Sequence, residues 1–236
     1  MTGGTGRLRR GLGVLAALLW TLGTVTGVIR WIAGDAKTLE AEMLRQAPPA
    51  STGLPEREYP GMAEMIAGYL TGRIPEFQYE FEDDQGRRYK CFQAHEAEHM
   101  ADCRGLIALD ETVCLVCLPL AAAATALGAR RRRDRRDFAA GIRRSLTGLG
   151  LAATGLLAWA LVNFDGLFIT FHRVAFPRGG WLLDPRTDLL IRLMPERFFT
   201  ALGARGLGLS LIAPAALLLA ARAMGRGGER KDQDDV

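Results

Sequence analysis

The chain has 236 residues, of which 49% are apolar and 24% charged, and its formal net charge is +4. The length allows one or two domains, but the apolar residues gather in four blocks, a pattern that excludes an ordinary water-soluble globule. Segment 34–111 carries 16 acidic against 8 basic residues, which argues against nucleic acid as a partner.

The first block, Gly11 to Ala33, follows a basic lead of Arg7, Arg9 and Arg10. Its uncharged core runs to Ile29, longer than the roughly 7–15 residues of a signal-peptide core, so it is expected to stay as a span. Asp35 to Gln46 has a helical pattern, and the proline-rich stretch 47–61 reads as a loop. Met62 to Leu70 predicts a short helix. Phe77 to Phe92 alternates polar and aromatic residues around Asp84-Gln85-Gly86, the pattern of a hairpin. Ala94 to Leu109 predicts a helix running towards the second block, Thr112 to Ala129. Eight arginines then fall within residues 130–144. The third block is Ser145 to Phe164. Residues 165–202 combine an aromatic-rich start, a Pro/Gly turn and a short amphipathic helix. The fourth block is Gly203 to Ala221, followed by a basic tail with Arg222, Arg226, Arg230 and Lys231.

Each block approaches the ~20 residues that a helix needs to cross a bilayer. Arg30 and Arg205 sit near span ends, where long side chains can reach headgroups. The arginine-rich connection is expected to be cytoplasmic by the positive-inside rule. Anionic headgroups suit that arginine run better than nucleic-acid phosphates do. The expected fold is therefore an all-α membrane protein with four transmembrane helices, at 11–33, 112–129, 145–164 and 203–221. A small extracytoplasmic α+β domain fills 34–111, and a short extracytoplasmic helix-loop fills 165–202. Segments 130–144 and 222–236 are cytoplasmic. Trp31, Trp159 and Trp181 fall near the outer interface, where aromatic rings settle.

All three histidines, His95, His99 and His172, then lie just beyond spans on one membrane side. Neutral imidazole is the usual proton acceptor near pH 7, with an unperturbed pKa of about 6.5. "HEAEH" satisfies H-E-x-x-H, which on a helix could place His95 and His99 on one zinc with Glu96 as general base. A catalytic zinc needs a third protein ligand. Asp102, Asp110 and His172 are available, but none sits at a family-typical spacing. Cys91 and Cys103 lie outside, where a disulfide could form. Cys114 and Cys117 form C-x-x-C within a span and read as packing residues, since thiol reactivity needs an accessible, electropositive setting.

Two stretches together resemble the bacterial lipoprotein intramolecular transacylase family. One is "YLTGRIPEF … FQAHEAEHMADCRGLIAL", with Glu96, His99, Met100 and Asp102 as E-x-x-H-M-x-D. The other is F-H-x-x-x-F, W-x-x-D-P, a Leu-Ile pair and P-x-x-F-F. Here these are Phe171, His172, Phe176, Trp181, Asp184, Pro185, Leu190, Ile191, Pro195, Phe198 and Phe199. His95 lies outside the family pattern, and Cys103 and Arg104 stand where an aliphatic residue and a lysine are expected.

The resemblance implies an acyltransferase acting on diacylglyceryl-modified lipoproteins among membrane lipids. An acyl chain moves from the glycerol ester of the lipidated N-terminal cysteine to that cysteine's α-amino group, giving the lyso form. Converting an ester to an amide is downhill, so no cofactor is expected. The resemblance implies His99 and His172 as the catalytic pair, with either as the base. Glu96, Asp102, Arg173, Trp181 and Asp184 are expected in support, Asp102 by orienting or charge-tuning His99. The alternatives are a membrane-anchored zinc protease built on His95, Glu96 and His99, a thiol oxidoreductase, and a non-catalytic lipid-binding protein.

Overall fold

The computed structural model describes residues 3–234. Residues 235 and 236 of the tail assigned to the cytoplasm, and the side chains of its Arg226, Arg230 and Lys231, lie outside what is described. The elements run in order α1 (Gly3–Gly34), α2 (Ala36–Gln46), α3 (Pro49–Thr52), a 3-10 turn at Glu56–Glu58, and α4 (Tyr59–Leu70). The antiparallel pair β1 (Glu80–Glu82) and β2 (Arg88–Lys90) follows. Next come α5 (Ala94–Ala129), a 3-10 turn at Arg132–Asp134, α6 (Arg135–Val162) and α7 (Phe164–Ala175). The chain ends with α8 (Leu189–Leu193), α9 (Glu196–Ser210) and α10 (Ile212–Asp234).

Four helical stretches are long and apolar enough to cross a membrane: Thr5–Gly34, Ala94–Ala129, Arg135–Val162 and Glu196–Met224. Large apolar side chains on them, including Leu115, Leu151, Leu161 and Leu219, stay uncovered by protein. The helices outrun the apolar blocks, because a helix continues through charged flanks that hydropathy reads as loop. Two expected boundaries move. The third span ends at Val162 rather than Phe164. Asn163 leaves helical geometry and caps a new helix, its side-chain oxygen accepting the Gly166 N–H at 2.8 Å. The aromatic start of 165–202 is thus the helix α7. The fourth stretch starts at Glu196 and breaks at Leu211. Pro214 has no N–H, and its ring would collide with the carbonyl four residues back, at Ser210.

The chain divides into two compact units. Of the described residues, the first comprises 3–27, 112–161 and 207–234. Its core is small and alanine-rich: Ala16, Ala17, Ala124, Phe138, Ala139, Ile142 and Ala221. Lipid tails are as apolar as these side chains, so helix association relies on close contact and on polar links between helices. Both are present. Trp20 donates to Thr125 at 3.1 Å. Arg9 pairs with Asp134 at 3.2 Å and Arg10 with Asp137 at 2.8 Å. Gly13 of α1 lies against the Phe138 carbonyl of α6, and Gly141 of α6 lies against the Arg10 carbonyl of α1, so a Cβ at either would overlap backbone.

The second unit comprises residues 28–111 and 162–206. Its core joins α2, α4, the residues flanking the hairpin, the start of α5, α8 and the start of α9 through Met43, Tyr59, Met62, Ile66, Phe77, Phe92, Leu193 and Phe198. Tyr59 is fully buried. Its hydroxyl meets Thr52 at 2.8 Å and donates to the Ala47 carbonyl. The hairpin turn is closed by Asp83, which accepts the backbone N–H groups of Gln85 and Arg87 at 2.9 Å, with Gly86 left-handed. Arg205 lies over the Trp31 ring, 5.6 Å from its centroid, and Arg30 pairs with Glu111 at 3.3 Å. Both arginines of the apolar blocks are therefore partnered.

Gly13→Ala and Gly141→Ala should each force α1 and α6 apart, costing on the order of 1–3 kcal/mol as overpacking does. For a chain of this size that is a fall of roughly 2–4 °C per kcal/mol in a detergent melting curve. Gly148→Ala, where a Cβ meets open space, should leave the curve unchanged.

Candidate functional site

The histidine-bearing surface is built within the second unit from the first turns of α5, all of α7 and residues 176–190. His99 projects from α5, and His172 from α7. Their ring centroids are 6.1 Å apart. Two segments more than seventy residues apart in sequence thus meet at their imidazoles. Aromatic rings enclose them. Phe168 lies 3.9 Å, Phe171 5.3 Å, Phe176 5.4 Å and Trp181 5.1 Å from His172 by centroids, and Phe176 stands edge-on to His99 at 5.0 Å.

Hydrogen bonding fixes one tautomer. His172 Nδ1 is 2.8 Å from the Phe168 carbonyl oxygen. A carbonyl only accepts, so Nδ1 carries the hydrogen and Nε2 keeps its lone pair. His172 is buried, and that burial pushes its pKa below the ordinary histidine value, although the bond to Phe168 works in the opposite sense. His99 Nε2 lies 3.6 Å from Cys103 Sγ. His99 Nδ1 is out of water with no hydrogen-bond partner. An orphaned buried nitrogen of this kind calls for an explanation.

Glu96 is fully buried, and its two oxygens face two helices. Oε2 accepts the Gln93 N–H at 2.7 Å and so caps α5. This is the return half of a capping box. Oε1 accepts the Leu190 N–H at 2.7 Å and caps α8. Asp188 precedes α8 but makes no side-chain cap to that helix. Its carboxylate instead accepts from His95 Nε2 at 3.0 Å, Thr187 Oγ1 at 2.8 Å, the Asp184 N–H at 2.8 Å and Gln93 Nε2 at 3.4 Å. Burial pushes the Asp188 carboxyl up, but these bonds outweigh it and hold the group below the usual carboxylate range.

The expected roles divide accordingly. His99 and His172 come together. Trp181 closes over His172. Glu96 bonds backbone amides through both oxygens and is completely shielded from solvent, a setting that suits a cap better than a base on water. Asp102 does not hydrogen-bond His99, as its expected orienting role would require. It pairs with Arg178 at 3.2 Å, because it faces the 176–178 turn. Asp184 is held by its neighbour Arg186 at 2.7 Å, and bonds from Arg186 keep its carboxyl below the usual range. Arg173 is exposed on α7. His95 and His99 share a helix but no partner. His95 points to Asp188, whereas His99 points to Cys103 and His172. Among the described residues no group of three or more His, Cys, Asp or Glu side chains gathers as a metal site would require. Cys91 and Cys103 are free thiols, and burial pushes the Cys91 thiol up to about 11, away from reactivity.

An open cleft of about 250 Å³ is lined by Ala101, Asp102, Gly105, Phe176 and Arg178 among others; neither histidine lines it, and Phe176, whose ring stands against both, is one of its walls. Sequence reasoning missed Asp188. Its one signal was an aspartate placed just before the apolar run Leu189–Leu193, which suggests a cap and not a partner for His95.

A profile of the lipoprotein intramolecular transacylase Lit family matches residues 14–199. The membrane-integral lipoprotein intramolecular transacylase Lit from Bacillus cereus has a similar structure, with a TM-score of 0.70 over 95% of this chain and 99% of that one, at 15% identity. Structures of the same Bacillus protein with one histidine changed to alanine or to arginine also match. The alanine form gives a TM-score of 0.68 at 13% identity, over 95% of this chain and 97% of that one. The arginine form gives 0.64 at 14% identity, over 97% and 96%. No curated protein matches the chain. At such identities the solved structures establish a common fold, while the profile spans most of the chain and carries the relationship itself. The chain belongs to the lipoprotein intramolecular transacylase family.

Proposed function

We infer that the chain transfers an acyl chain within a diacylglyceryl-modified lipoprotein, from the glycerol ester to the α-amino group of the same N-terminal cysteine, and that His99 and His172 move the protons. The observation that carries the reading is the pairing of the two imidazoles in an aromatic enclosure, one with a free Nε2 lone pair and the other with an unpartnered Nδ1.

The reaction's proton count suits two histidines. An α-amino group is mostly an ammonium ion near neutral pH. It must shed two protons in becoming an amide. His99 takes the first, which frees the nitrogen to attack the ester carbonyl. His172 takes the second from the attacking nitrogen and hands it to the departing glycerol oxygen. General acid–base catalysis of this kind typically contributes about 10²–10⁴-fold. Holding amine and ester in reacting geometry can contribute about 7–11 kcal/mol at the upper end. Positioning is thus the larger share. The cleft lined by Gly105, Leu106 and Phe176 offers room for an acyl chain behind Phe176, and exposed Arg173 and Arg178 suit lipid phosphates and carbonyls.

The basic lead of α1 and the arginine run after α5 stand at the opposite helix ends from Trp31 and His99. By the positive-inside rule the protein is a multi-pass component of the bacterial cytoplasmic membrane, with 34–111 and 165–202, and therefore the histidines, on the extracytoplasmic side. The zinc protease reading has less support. His95 is committed to Asp188, and Glu96 is committed to two backbone amides.

His99→Ala and His172→Ala should each reduce lyso-lipoprotein formation by at least about 10²-fold, while His95→Ala stays active. Mass spectrometry of lipoprotein N-termini from cells expressing each variant reads this directly, and an active His99 variant beside a dead His95 variant would refute the assignment. A chelator-treated preparation should keep its activity. The rate should fall on acidification, along a limb displaced below the ordinary histidine value of about 6.5, since a protonated imidazole accepts nothing. Because burial lowers the His172 pKa, neutral His172 persists to lower pH than a free histidine would. A flat rate from pH 5 to 8 contradicts histidine as the base.

A further inference from the structure

We propose that Asp188 is a positioning residue, whose buried carboxylate fastens the 177–188 loop to the first turn of α5 and thereby holds Trp181 over His172. The inference rests on His172 acting as a proton carrier.

The loop is weakly determined at its start. Gly179 and Gly180 are both left-handed, with φ of 81° and 83°, a conformation that glycine adopts at little cost. Nothing in that geometry dictates where the next residue, Trp181, must point. Order comes from the far end. The Asp188 carboxylate, in a residue only 2% exposed, accepts the Asp184 N–H and the Thr187 hydroxyl, which folds residues 184–188 onto one anchor. The same carboxylate accepts from His95 and Gln93 of the α5 start, and Gln93 Nε2 also donates to the Thr187 carbonyl at 3.1 Å. Three residues before Asp184, Trp181 is half-buried with its ring 5.1 Å from His172. Leu183, between them, packs on the core.

The consequence lies in the environment of His172. The titratable group facing it is His99 of α5. Phe168 and Phe171 of α7, and Phe176 and Trp181 of the loop, are uncharged, and neighbouring Arg173 is exposed. Shelter therefore dominates the acidity of this imidazole. Phe176 is tied to α7 by its N–H to the His172 carbonyl, so Trp181 is the part of the shelter that depends on the 177–188 loop. Releasing the loop admits water to His172 and returns its pKa towards the ordinary value of about 6.5. Asp188 touches neither ring and acts through Trp181. His95 is one of several donors to Asp188, so its loss leaves the anchor in place.

The test measures transacylation kinetics against pH in purified full-length protein with a synthetic diacylated lipopeptide. Asp188→Ala should lower kcat about 10- to 100-fold, the scale of misplacement effects, with a smaller change in KM, and should move the acid limb to higher pH. Asp188→Asn keeps an oxygen for the Asp184 N–H and should restore most of the activity. Asp188→Ala and Trp181→Ala combined should be no worse than the more severe single change, as expected for residues acting in series. If Asp188→Ala does not fold, Gly180→Ala disturbs the same loop from its other end and should shift the limb in the same direction. Multiplying effects in the double variant, or an acid limb that stays put, would overturn the proposal. An active His172→Ala control would instead bring down the histidine reading itself, which keeps the two failures distinct.

Discussion

The second unit turns on one carboxylate. Glu96 is removed from water, and burying a charge is costly unless it is hydrogen-bonded. Its two oxygens recover that cost by accepting one backbone N–H each, from Gln93 and Leu190. Those amides belong to helix starts, which present unpaired donors and the positive end of the helix dipole. A single side chain therefore meets the end requirements of α5 and α8 together, and in doing so it fixes the element that carries His99 beside the segment that follows Trp181. The aromatic ring cluster, the Asp188 anchor and the pairing of the histidines are assembled around that joint.

One short motif separates a buried carboxylate from the imidazole that meets His172. Glu96 and His99 are three residues apart and share one helical turn, yet Glu96 faces the protein interior while His99 faces His172. Asp102, a further turn along, faces the 176–178 turn and meets Arg178 there. The motif E-x-x-H-M-x-D thus reads as a cap, an imidazole facing His172, a core side chain and a cross-link. Met100 supplies the core position, being buried with Phe92 and Leu193 in one cluster.

Much of this was legible in the sequence because period and composition report on it. The four apolar blocks, the turn at Asp83 to Gly86 and the helix at Ala94 each follow from local pattern. Span topology placed all three histidines on one membrane side, but the choice of His99 with His172 followed from resemblance, since no periodicity links residues on separate helices. Hydropathy marks the apolar core of a helix and not its ends. Charged flanks extend α5 and α6 beyond their apolar cores, and Asn163 starts a helix where hydropathy shows a continuous span. Asp188 was invisible for a related reason. Its partners come from Gln93 and His95, more than ninety positions away, and a short aspartate before an apolar run looks like a local cap. Spacing places Asp102 one turn from His99, but it does not show the ion pair that Asp102 makes with Arg178.

The bond from His172 to the Phe168 carbonyl has one more implication. That carbonyl belongs to the same helix, one turn earlier, so α7 itself seals one nitrogen of the ring. For the proton transfer proposed at His172, only Nε2 is then open. Whatever arrives at Nε2 must depart from Nε2, with no relay through to the opposite side of the ring. A donor and an acceptor served in succession by one stationary atom must occupy nearly the same place. An amine and an ester oxygen carried on one lipidated residue meet that demand without either having to diffuse in separately.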